Sequence, residues 1–209
     1  MSGMLRILSI VLLVTASLGA SAARSAEPGL GVKQRLSDTP VLRGEFEQEK
    51  SLQGFRHPLL SKGDFLLARK RGVVWNTRSP FASSIVLTRE RLSTRQADGS
   101  RRDLLAKGDS PAVRTANALL MALLGGNVSA LSQQFVLKET LLPEGAWTLE
   151  LVPKPGGLQK VFRRIELQGN RQVRRVQLEE VSGDRTTIRF LNLRETPGVL
   201  DPREARQFD

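Results

Sequence analysis

The sequence predicts a mainly β fold with some α, a barrel or strongly curved antiparallel sheet, and three observations predict it. From Leu42 onward most segments alternate apolar and polar residues with the period of two that turns one face of a strand inward. Turn signals punctuate these runs at short intervals: Asp98-Gly99, Pro143-Glu144-Gly145, Pro155-Gly156-Gly157, Gly169-Asn170 and Ser182-Gly183-Asp184. One segment, by contrast, carries a strong helical period. Many short antiparallel strands at such spacing favour a curved or closed sheet.

The alternation predicts strands over 42–50, 63–70, 73–77, 84–89 and 91–96, then over 135–140, 146–153, 162–168, 172–181 and 185–193. Between the two sets lies the helix. Ser110 is a good N-cap, Pro111 suits the first turn, and Gly125 supplies the stop. Val113, Ala116, Leu120 and Leu123 recur at helical spacing, and Leu119 and Leu124 widen the stripe. A short helix is expected over 128–133, and a further helical segment over 32–37, ahead of Pro40.

The hairpin from Gly63 to Phe81 carries the most unusual pattern. Phe65, Leu67 and Arg69 share one face of its first strand, with Asp64, Leu66 and Ala68 on the other; Val73, Trp75 and Thr77 align on the returning strand. A guanidinium in line with Phe, Leu and Trp is costly to bury unless acceptors wait for it. Two readings follow: a buried structural ion pair, or a polar latch in an apolar cavity. Carbonyls near a helix end, around Leu123 to Gly125, are suitable acceptors for the latch.

The N-terminus has the pattern of a secretory signal peptide, residues 1–22. Arg6 gives the positive region, Ile7 to Leu18 the apolar run, and Ala20-Ser21-Ala22 the small-residue site, with cleavage expected after Ala22 or Ala23. The run is shorter than the ~20 residues a spanning helix needs, which disfavours an uncleaved anchor. Residues 23–209 then form a single domain, expected in the periplasm. The chain has no cysteine, so disulfides, thiolate metal sites, a cysteine nucleophile and a lipid-modified N-terminal cysteine are excluded. The formal net charge is +11, of which the signal segment supplies only Arg6. The basic residues are spread through strands, as at Arg163, Arg164, Arg171, Arg174 and Arg175. That distribution fits solvated strand faces or a lipid-surface role, and nucleic acid is not expected.

Catalytic patterns are missing. The one histidine, His57, precedes Pro58 in a loop; there is no tyrosine and no nucleophile elbow. Glu45, Glu47 and Glu49 alternate outward along a strand. No phosphate-binding loop, metal spacing or dinucleotide fingerprint occurs, so neither cofactor nor enzymatic activity is expected.

Taken in order, Val32-Lys33-Gln34-Arg35-Leu36, Phe46-x-Gln48-x-Lys50, Gly63-x-Phe65, Arg69 six residues before Trp75, and Pro80 resemble the LolA family of periplasmic outer-membrane lipoprotein carriers. The resemblance spans nearly all of residues 23–209 and is close across 32–90. It implies an incomplete, unclosed antiparallel β-barrel covered by a helical lid, whose cavity takes up acyl chains. It also implies an inner-membrane releasing complex and an outer-membrane acceptor as partners, and it makes Arg69 the lid latch. The segment GFRHPLLS at 54–61, the basic charge and the sequence around Glu49 depart from the family and mark a divergent branch. Cargo is then a lipoprotein or another apolar lipid, such as a glycolipid or lipidated pigment.

Alternation assigns Phe46, Phe65, Leu67, Val73, Trp75, Ile85 and Leu87 to the cavity, with Leu119, Leu120, Leu123 and Leu124 from the lid. Phe135, Leu137, Trp147, Leu149 and Leu151 form the far wall. For each of them plain core packing is the competing reading. A monomer is expected; docking contacts are placed at the loops around Arg56 and Arg101-Arg102. The alternatives to a carrier are a periplasmic lipid or lipoprotein sensor, a structural envelope protein and a hydrolase.

Overall fold

A computed structural model describes residues 29–88, 91–96, 100–105, 121–123 and 125–208. The expected signal segment and most of the helix expected between Ser110 and Gly125, and with it Leu119, Leu120 and Leu124, lie outside the described residues. Eleven strands form one antiparallel sheet: β1 (Val41–Ser51), β2 (Leu59–Ala68), β3 (Gly72–Ser79), β4 (Ser83–Thr88), β5 (Leu92–Gln96), β6 (Arg101–Leu105), β7 (Phe135–Leu141), β8 (Trp147–Pro153), β9 (Phe162–Gly169), β10 (Val173–Glu180) and β11 (Arg185–Arg194). Their order is β6-β5-β4-β3-β2-β1-β11-β10-β9-β8-β7, so the first and last strands of the chain's two sets meet at the centre through β1 and β11. Strands β6 and β7 are the edges and do not pair, which leaves the barrel unclosed. Three short helices are described with it: α1 (Leu30–Arg35), α2 (Val128–Gln134) and α3 (Pro202–Arg206).

The expected strands are present with ends shifted by a few residues, the largest shift being the early start of β2 at Leu59. Strand β6, RRDLL, is an addition to the expected set: its sequence has no apolar alternation. The helical residues 121–123 and 125 end at Gly126 rather than Gly125. Gly126 is left-handed, with φ 63°, and Asn127 N–H reaches Ala122 O at 2.8 Å. These features match a Schellman stop, and the Asn127 side chain then accepts from Ala130 N–H at the start of α2.

The two faces of the sheet are packed differently. On the concave face one core joins both halves of the sheet to the helices: Phe46, Phe65 and Val73 from one half, Leu149, Ile165 and Phe190 from the other, and Val32, Leu123 and Leu131 from above. On the convex face a smaller core of Val41, Leu66, Ala68 and Val74 is covered by Phe208 and Leu200 of the C-terminal tail. Asp201-Pro202-Arg203-Glu204 starts α3 with a reciprocal capping box. Arg43 holds the tail in place, bidentate to Glu204 at 2.5 and 2.7 Å and bonded to the Pro197 and Val199 carbonyls.

Candidate lipid-binding site

The concave face is built on an aromatic floor. Phe46 of β1 lies opposite Gly63 of β2, where a side chain would meet the Asn76 carbonyl and the Phe46 ring. Glycine there lets the Phe46 ring stack on Trp75, with centroids 3.8 Å apart. Phe65 and Phe190 contact each other edge-on at 5.1 Å, and Phe190 meets Trp75 at 6.2 Å. Of the residues assigned from sequence, Phe46, Phe65, Leu67, Val73, Leu87, Leu123, Phe135, Trp147, Leu149 and Leu151 are buried in the single concave core, with Trp75 and Leu137 half-buried against it. Ile85 is half-buried and pairs across the sheet with Trp75.

Sequence reasoning omitted Phe190, Ile165, Leu167, Val173 and Val176, all buried in the same core. The signal was available: they sit on the alternating face of strands the sequence predicts. Half-buried Leu158, Phe162, Leu178 and Ile188 pack against that core from the β9–β11 side.

Three covering elements lie over this face. Helix α1 is fixed by buried Val32, by Val32 N–H donating to the Glu139 carboxylate at 3.0 Å, and by Arg35 donating to the Leu142 and Ala146 carbonyls. Helix α2 buries Val128 and Leu131. The helical turn before Gly126 buries Ala122 and Leu123 and brings Gly125 over Leu67.

Arg69 sits where α1 is tied to the sheet. It follows β2 directly, and its backbone N–H donates to Pro40 O at 3.0 Å. Its guanidinium donates to Thr39 O at 2.7 Å and to Ser37 O at 3.0 Å. These acceptors, among the described residues, belong to the connector between α1 and β1, whereas the sequence pointed to carbonyls around Leu123–Gly125. The physical reason is reach: residue 69 ends its strand beside the connector, while Gly125 lies across a space of about 20 Å³ lined by both. That volume admits roughly one water molecule. Arg69 is also not sealed inside the barrel; its side chain is 32% exposed, and the Asp38 carboxylate 3.7 Å away is fully exposed. The ion-pair reading is therefore the weaker one.

The connector has a second fastening. Ser37 and Thr39 hydroxyls lie 2.7 Å apart, and Ser37 N–H donates to Arg171 O. Hydrogen bonds from Thr39 above all, then from Gln172 and Ser37, hold the Glu195 carboxyl below the usual carboxylate range, against the opposing effect of burial.

Among the described residues no cluster of His, Cys, Asp or Glu could hold a metal ion. His57 is exposed in the β1–β2 loop. Glu45 and Glu47 lie on the convex face, paired with Arg78 and Lys62. No described helix is long and apolar enough to cross a membrane.

Comparison with known proteins follows the same lines. The sequence pattern of the family described as "Outer membrane lipoprotein carrier protein LolA" matches residues 37–202. An outer-membrane lipoprotein carrier protein of Methylococcus capsulatus is 28% identical over 187 residues, covering 88% of this chain and 85% of that one. Among solved structures, MucB superposes with a TM-score of 0.50 at 14% identity, over 87% of this chain and 63% of MucB, a likeness of fold alone. A LolA superfamily protein of Nitrosomonas europaea gives a TM-score of 0.42 at 8% identity, over 79% and 90% of the two chains.

Proposed function

The chain belongs to the LolA family of outer membrane lipoprotein carrier proteins, and from that premise we propose that it is a non-enzymatic periplasmic carrier. It takes the acyl chains of lipoproteins, or of another lipid, between the concave face of the sheet and its helical covers, and ferries them towards the outer membrane. Residues 23–209 form the carrier once the signal segment 1–22 is removed. An inner-membrane complex loads it and an outer-membrane acceptor unloads it.

The observation that supports this best is the construction of the concave side. A continuous apolar core runs from Phe46, Phe65, Trp75 and Phe190 of the sheet to Val32, Leu123 and Leu131 of short separate helical segments, with no second sheet among the described residues. Such covers can lift without dismantling the strand ladder. Arg69 is the latch, holding the α1 connector by two backbone acceptors. Each methylene moved from water into the apolar space contributes ~0.8 kcal/mol, against ~1.5–3 kcal/mol for a hydrogen bond to a charged group. A few methylenes therefore offset the latch, so the protein closes when empty and opens when loaded.

Native mass spectrometry of the protein purified from its own periplasm, with extraction of the bound material, tests this. An acylated protein in the complex supports the lipoprotein carrier, and a free glycolipid or pigment supports carriage of another lipid. An unliganded mass combined with failure to take up a fluorescent acyl probe overturns the carrier reading and favours a structural envelope role.

A further inference from the structure

We propose that the end of the sheet opposite the Arg69 connector is a docking surface for an anionic lipid bilayer, which the Phe55 and Phe81 tips enter. The proposal rests on the carrier reading and adds where the carrier meets its membrane.

In an antiparallel meander alternate connections fall at one end. Here the loops β1–β2, β3–β4, β8–β9 and β10–β11 share an end, while the β2–β3 turn beside Arg69 lies at the other. The shared end is tied together: Gln53 N–H donates to the Asp184 carboxylate at 2.9 Å, and Val181 N–H to Val161 O at 2.9 Å.

Two of the chain's eight phenylalanines are exposed, Phe55 at 71% and Phe81 at 82%, and both are at this end. The other six are buried or half-buried. Leu59 and Leu60 are neighbours on β2, so they face opposite sides, yet they are 58% and 60% exposed. The cause is visible in the register. The β2–β3 ladder stops at Lys62–Ser79, while the β1–β2 ladder runs on to Lys50–Leu59. Past Lys62 the β2 edge is therefore unpaired on its β3 side, while β1 stays paired with β11 to Ser51–Arg185, and Leu59 and Leu60 make both faces of that edge apolar. Exposed apolar tips suit insertion into a layer; they do not form a groove that would receive a partner's helix.

Charge selects the layer. These four loops carry Arg56, Lys154 and Lys160, all exposed, against the single carboxylate of Asp184, which already accepts from Gln53. Apolar tips among cations are the pattern of a protein that lies at an anionic lipid interface. Half-buried Phe162 and Leu178 lie near the same end, at the start of β9 and towards the end of β10.

The absence of cysteine makes the test direct. In the full chain, Ala82→Cys places an environment-sensitive label beside Phe81, and Lys70→Cys places one in the β2–β3 turn at the far end. Vesicles of phosphatidylglycerol and phosphatidylethanolamine carrying a lipid-attached quencher should quench the label at 82 and leave that at 70 unaffected. Phe55→Ser with Phe81→Ser should weaken quenching at 82 roughly tenfold in lipid concentration, and added salt should weaken it further. Equal quenching at the two ends, no quenching by anionic vesicles, or an unchanged response in the double variant overturns the proposal; the second outcome assigns this end to a protein partner. Acyl-probe uptake is measured alongside. Uptake without vesicle docking removes the docking surface and leaves the carrier; loss of both removes both.

Discussion

The concave and convex faces of the sheet are each covered by a separate piece of chain, and the two covers are fastened by different chemistry. On the convex face the tail is held by charge against charge, Arg43 bidentate to Glu204, with the same carboxylate closing the capping box of α3. Phe208 is buried beneath it, and its carbonyl accepts from Arg91. On the concave face the α1 connector is held by the half-exposed Arg69 guanidinium on two neutral carbonyls, and by hydrogen bonds from Ser37 N–H to the Arg171 carbonyl and from Thr39 and Ser37 to the Glu195 carboxyl. The convex arrangement makes a permanent part of the fold. On the proposed carrier reading, the concave one is a fastening that cargo binding releases.

Removing the floor common to the whole concave side should have the largest effect. Phe46→Ala deletes a fully buried ring stacked on Trp75 and should cost about 3–5 kcal/mol, read as a lower urea midpoint. A loss below about 1 kcal/mol would mean the site collapses freely and the aromatic floor is not packed as described.

The convex fastening should come next. Glu204→Gln removes a charged hydrogen-bond pair and should cost about 2 kcal/mol. Its pH dependence carries the sign. The bond to Arg43, more than any other cause, holds the Glu204 carboxyl below its usual range. The folded state thus binds fewer protons than the unfolded state. The stabilisation is complete above the unfolded carboxylate pKa of about 4.3 and is lost as pH falls through the lower folded value. Thermal denaturation of the two proteins should therefore differ near neutral pH and converge in strong acid.

Arg69→Leu should cost less, about 1 kcal/mol, because the lost bonds are half-exposed. Its functional effect should exceed its effect on stability: release of a bound acyl probe should change several-fold, through trapped cargo or a cover that stays open. Unchanged uptake and release would separate Arg69 from the latch role. Smallest of all, Phe55→Ser should leave stability within about 0.5 kcal/mol, since the ring is exposed. A large loss would mean that this tip packs against the fold.

These contrasts also explain what the sequence could and could not disclose. Strand positions were legible because Phe65 and Leu67, or Leu149 and Leu151, alternate with polar or outward residues on a half-buried sheet. The concave lining was legible for the same reason, and Phe190 and Ile165 carried the same signal on strands crowded with arginine. Strand β6 was not, because an edge strand reading RRDLL needs no inward period. Covering of the convex face was missed: the Asp201-Pro202-x-Glu204 capping box went unread, and nothing local says that Phe208 returns to Leu66 and Val74. Arg69 was conspicuous by its apolar neighbours. Its acceptors were not, since they are backbone carbonyls that every residue possesses, selected only by how β2 ends beside the connector.

Hydrogen exchange of the protein with and without a long-chain acyl probe tests the central claim most directly, by comparing residues 30–40 with residues 200–208. Loading should speed exchange in the α1 connector while the tail keeps its protection. Unchanged exchange in the connector on loading, or equal loosening of both covers, would contradict a releasable concave cover opposed to a fixed convex one.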